Sequence, residues 1–187
     1  MTTTTTPQSA TAFSSSLRRL YFTRFAFAII WAAVLLVSGG GVGVLLSVLL
    51  VLYPLVDAAA VLWQLRSEGR AEASRVPEWI NVVVSIAAAI TLGVVSTVSI
   101  SGVFVVWGVW AITSGAVQLF AALLRRRVGG QIPLIVSGAI SVLAGAGFIA
   151  GSAGSQSASG IGGYAILGGL LFLVAAIRLS IVLRRAA

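Results

Sequence analysis

The chain has 187 residues, of which 59% are hydrophobic and 9% charged, and its mean hydropathy is +1.10. Soluble domains carry about a quarter charged residues, so this sequence lacks the polar surface that a water-facing fold requires. The net charge of +8 comes from 12 arginines against four carboxylates; the arginines lie at the ends of apolar runs, without a basic groove or stacking aromatics, which argues against nucleic acid as a partner.

The sequence contains no Cys and no His. That removes disulfides, thiol nucleophiles, imidazole bases and the usual zinc or haem ligands. With Asp57, Glu68, Glu72 and Glu78 as the whole set of carboxylates, paired-acid hydrolysis and carboxylate metal cages have few members to draw on. Phosphate loops and dinucleotide fingerprints need a strand before their glycine turn, and none is predicted. Neither an enzyme nor a cofactor is expected.

In chain order, residues 1–16 are mostly Thr, Ser and Ala around Pro7 and predict a disordered cytoplasmic tail, leaving 17–187 as the membrane domain. The first span is expected at Leu20–Val37. Its flank, Arg18 and Arg19, imitates a signal peptide, but no A-x-A cleavage site follows and the apolar stretch is of full length. The second span is expected at Val42–Leu65. A polar stretch then reverses the chain, with Glu68, Glu72 and Glu78 alternating with Arg70 and Arg75 as a solvated loop, and Pro77 suits a helix start. The remaining spans are expected at Trp79–Val98, Gly102–Leu124, Gln131–Ala150 and Gly163–Leu183, with Trp79, Trp107, Trp110 and Tyr164 as interfacial anchors. The runs lack the period of two of barrel strands.

Orientation follows from arginine position. Arg18, Arg19 and Arg24 open span one; Arg66, Arg70 and Arg75 follow span two; Arg125, Arg126 and Arg127 follow span four; Arg178, Arg184 and Arg185 close span six. The intervening loops around residues 39–41, 99–101 and 152–160 carry no charge. Basic loops stay in the cytoplasm, so both termini are expected there, in a multi-pass membrane protein.

The even spans repeat. Gly108, Ala111, Gly115, Gln118 and Ala122 recur as Gly162, Ala165, Gly169, Phe172 and Ala176, an offset of 54 residues. Ser85, Ala87 and Gly93 of span three are echoed 52 residues later by Ser137, Ala139 and Gly145 of span five. The stretch Tyr53 to Ala58 overlies Trp110 to Gly115 and Tyr164 to Gly169. The expected architecture is all-α, a bundle of six transmembrane helices made of three parallel helical-hairpin repeats. Gly108, Gly115, Gly138, Gly145, Gly162 and Gly169 are expected to form a packing seam, because lipid does not drive helices together and close backbone approach must supply the contact. Such seams also face other chains, so a membrane-protein partner or a homo-oligomer stays open beside membrane lipids.

Asp57 is the carboxylate inside a span, and Arg24 and Arg178 enter from the same side. An intramembrane acid is expensive unless paired, so these three predict a polar cluster that either locks the helices or handles protons or a small solute. Pro54, one turn before Asp57, removes a backbone donor and predicts a kink.

The stretches WAITSGAVQLFAALLRRR from Trp110, LIVSGAISVLAGAGFIAG from Leu134 and YAILGGLLFLVAAIRL from Tyr164 resemble the HdeD-like family of bacterial acid-resistance membrane proteins, and YPLVDA from Tyr53 resembles its second-span pattern. The resemblance implies six spans built from two-helix repeats and a role in envelope or acid stress. It implies no catalytic residue. The rival expectations from the residues are a small-solute or proton transporter and an obligate subunit of a larger membrane complex.

Overall fold

The computed structural model describes residues 7–39, 43–67, 75–124, 126, 131–154 and 157–185. Six α-helices account for nearly all of them: α1 (Pro7–Val37), α2 (Val44–Ser67), α3 (Val76–Val95), α4 (Ile100–Leu124), α5 (Gln131–Gly151) and α6 (Ser159–Arg185). No strand occurs among the described residues. All six helices are long and apolar enough to cross a membrane, since about 20 residues rising about 1.5 Å each span the hydrocarbon core. The chain is a multi-pass integral membrane protein with an all-α fold.

The helix ends differ from expectation where local chemistry favours extension. α1 begins at Pro7, so residues 7–16, expected as tail, continue the first helix; residues 1–6 lie outside the described set. Proline is well suited to a first helical position, and lengthening an existing helix is far easier than nucleating one. α6 likewise starts at Ser159, ahead of Gly163. α3 stops at Val95, and Ser96 to Val98 form a turn whose amides donate to the carbonyls of Leu92, Val94 and Val95. α2 continues unbroken through Pro54, which is fully buried.

The helices close into a ring in chain order, each packing on its neighbours and α6 returning to α1. The most extensive pairs are α4/α5, α1/α6 and α2/α3, which join successive predicted hairpin units; the pairs within those units pack less. The glycines account for two of the three. A Cβ on Gly108 would stand 2.6 Å from the Gly145 carbonyl oxygen, and one on Gly138 would stand 2.7 Å from that of Gly115. On the other side of the ring, a Cβ on Gly169 would lie 3.1 Å from Ala28 and one on Gly162 3.1 Å from Leu36. All six predicted seam glycines therefore sit at helix contacts, where missing side chains let backbones meet and gain dispersion contact. α2/α3 shows no such seam among the described residues and is joined by the hydrogen bonds of Asp57 and by apolar packing of Ala58, Val61 and Leu65 with Val82.

The core is divided unequally. Toward the uncharged loops, Leu35, Leu50, Leu92, Phe104, Trp107 and Ile161 are essentially inaccessible and form one continuous apolar cluster. Toward the arginine-rich ends there are two smaller clusters. One joins Leu17, Tyr21, Leu134, Phe172 and Leu179; the other joins Ala58, Val61, Leu65 and Val82. A polar cavity lies in this half of the ring.

Candidate functional site

Asp57 is the centre of the site. It lies in α2 on the inward face, 8% exposed, and its carboxylate accepts three hydrogen bonds from two helices. Arg24 Nη2 of α1 forms an ion pair with Oδ1. Asn81 Nδ2 and Ser85 Oγ, one turn apart on α3, donate to Oδ2 at 2.7 and 3.1 Å. Ser85 in turn accepts from Trp110 Nε1 of α4 at 3.0 Å. A carboxylate in a membrane interior is tolerated only when its charge is paired and its lone pairs are met, and this network does both. The Arg24 guanidinium also lies over the Phe172 ring of α6, 4.3 Å from its centroid, a cation–π contact that orients it.

The network forms one wall of a cavity of about 100 Å³. Every helix contributes to its lining: Arg24 from α1, Asp57 from α2, Asn81 from α3, Ser114 from α4, Ser137 from α5 and Gly168 from α6. Tyr164 of α6 lines it as well, its hydroxyl donating to Ser141 Oγ of α5 at 3.0 Å. Toward the arginine-rich ends the lining is Gln64, Gln118, Gln131 and Glu78. The stretches of α2, α4 and α6 that the sequence pattern overlays line it at matching positions: Tyr53, Trp110 and Tyr164; Asp57, Ser114 and Gly168; Val61, Gln118 and Phe172.

Aromatic rings close the other end. Trp31 stacks on Trp107 with centroids 5.8 Å apart and planes 16° from parallel. Tyr53 meets the edge of Trp31 at 4.7 Å, and Trp110 meets Trp107 at 5.1 Å. Each such pair contributes about 1 kcal/mol beyond its buried area. Trp31 Nε1 donates to the Leu49 carbonyl at 2.8 Å, which fixes the plug to α2. The polar cavity therefore ends at a packed aromatic layer, and the apolar core continues from there to the uncharged loops.

The structure brings Arg24 and Asp57 together and leaves Arg178 apart. Arg178 is exposed, on the side of α6 away from the buried stripe Phe172, Ala175, Ala176 and Leu179, so a helix rotation separates it from the cavity. Glu78 departs from the solvated-loop expectation. It is 5% exposed, in the first turn of α3, and lines the cavity; α3 starting at Val76 places it at the positive end of the helix dipole. Glu68, Arg70 and Glu72 lie outside the described residues, as do Arg125 and Arg127. Trp79 is half-exposed, whereas Trp107 and Trp110 are buried and belong to the plug instead of an interfacial belt. Asn81 and Ser85 were missed as site residues. The signal was there: the sole asparagine of the chain stands four residues before a serine in an otherwise apolar run, and that spacing puts both on one helix face.

Asn81 also leaves an acceptor open. Its Nδ2 must face the Asp57 carboxylate, because an ionised carboxylate only accepts. The amide is thereby fixed, and its Oδ1 is buried with no hydrogen-bond partner among the described residues. The arrangement is suited to holding a small polar solute by hydrogen bonds and by charges of both signs. The chain matches no family model, and no curated protein and no solved structure matches it either.

Proposed function

We propose that the chain is a non-enzymatic membrane protein of the HdeD-like type, working in envelope or acid-stress defence from a bacterial cytoplasmic membrane with both termini in the cytoplasm. It acts through membrane lipids or membrane-protein partners and uses the polar cavity as its sensing or binding element. The observation that carries this reading is the one-sided cavity: polar groups reach Asp57 from the arginine-rich ends, while the Trp31–Trp107 plug leaves no polar path onward among the described residues. A binding role needs one opening; conduction needs two. The outer faces of the helices carry exposed Val, Ile and Leu, such as Ile30, Val83, Ile90 and Leu143, as contact with lipid requires.

Cells lacking the gene, complemented with wild type, Asp57→Asn or Arg24→Gln at equal membrane levels, test the reading by survival after an acid pulse. Wild type should restore survival and the two variants should not. Equal survival of all strains, including the deletion, sinks it.

A second reading, a small-solute or proton transporter, is favoured by the charge pair in the cavity wall together with Pro54 one turn from Asp57 in the same helix. It requires the plug to open. Solute or proton flux into proteoliposomes, abolished by Asp57→Asn, would select it over the first.

A further inference from the structure

We propose that the cavity binds a small zwitterion of the amino-acid type, about the size of glycine, with its carboxylate toward Arg24 and its ammonium toward Asn81 Oδ1. The inference rests on the reading that the cavity is the working site, and it names the class of ligand.

Three features select that class. The first is charge. Arg24 and Asp57 form a pair in the wall and Glu78 lines the cavity toward the arginine-rich ends, so a dipolar solute meets a guanidinium for its carboxylate and carboxylates for its ammonium, whereas a simple anion would face those carboxylates without a cation of its own. The second is the hydrogen-bond inventory. Asp57 has used three of its roughly four acceptor sites, and Asn81 Oδ1 is a buried acceptor without a donor. An ammonium brings three donors to those acceptors, and the lining holds the aromatic side chains Tyr53, Trp110 and Tyr164 beside them. Arg24 offers the complementary fork for a carboxylate.

The third is size. The cavity measures about 100 Å³, and an apolar cavity of about 150 Å³ holds a six-carbon ring. By proportion about four non-hydrogen atoms fit, close to the five of glycine. A branched side chain would exceed this volume.

The test is calorimetric titration of the full chain in mild detergent with glycine, acetate, methylammonium and leucine, with tryptophan emission followed in parallel because Trp110 lines the cavity. Glycine should bind saturably and shift the emission. Acetate and methylammonium, each carrying half of the dipole, and leucine, which carries the added bulk, should bind at least about tenfold more weakly. Gly168→Leu supplies a control that spares the ion pair: a Cβ there meets nothing within 4 Å, so the variant should melt as wild type does while losing glycine binding. Asn81→Leu should weaken glycine by about tenfold through the lost acceptor.

Acetate or methylammonium binding as well as glycine, no heat with glycine up to about 10 mM, or undiminished binding in Gly168→Leu would each overturn the proposal. Glycine binding in a protein whose deletion leaves acid survival unchanged would remove the stress reading and keep the zwitterion site. Restored survival without glycine binding would do the reverse.

Discussion

Asp57 shows how much one side chain can organise. Its carboxylate collects donors from α1 and α3 and, through Ser85, links to α4, so its replacement disturbs three helix contacts at once. Asp57→Asn leaves Arg24 as an uncompensated charge that is only 18% exposed, and stability in detergent should fall by about 3 kcal/mol. Combining it with Arg24→Gln should restore part of the loss, giving a coupling energy of at least about 1 kcal/mol in a double-mutant cycle. Arg178→Gln removes an exposed charge and should change stability by no more than about 0.5 kcal/mol. Additive losses in the cycle, or a large Arg178 effect, would contradict the pairing seen here.

The helix seams give a second, independent set of expectations. Gly108→Ala places a methyl group 2.6 Å from a backbone oxygen of α5, and a backbone yields only if the two helices separate. The loss should be about 2 kcal/mol, read by unfolding in detergent mixtures. Gly147, also in α5, faces open space; Gly147→Ala relieves the entropic disadvantage of glycine in a helix and should be neutral or stabilising by up to about 1 kcal/mol. Equal effects at the two positions would mean that α4 and α5 do not meet through their glycines. The glycine spacing was legible in the sequence, because a 3,4 pattern of small residues marks one helix face. Which helix that face meets was not: α4 turns it to α5, across the boundary between predicted hairpins, where Gly108 meets Gly145 and Gly115 meets Gly138.

For the whole molecule, the ring order and the position of the arginines make one coupled prediction. Reporter fusions after residue 127 and after Arg185 should read cytoplasmic, and one after residue 155 external. The cavity would then open to the cytoplasm and the aromatic plug would face the outer leaflet, so a polar solute would reach Asp57 from inside the cell. An external signal after residue 127 would break the six-span arrangement and reverse the side from which the cavity is approached.

Span number, approximate span limits and the cost of burying Asp57 were determined by sequence alone, since each depends on local hydropathy and on the price of a charge in hydrocarbon. The choice of Arg24 over Arg178 was not, because both enter from the same end and only the rotation of α6, set by packing Phe172, Ala175, Ala176 and Leu179 inward, turns Arg178 away. The same is true of Glu78 and of the tryptophans. A polar or amphipathic side chain near a helix end suits water or an interface equally well in sequence, and burial followed only from closure of the ring around the cavity and of the aromatic layer beneath it.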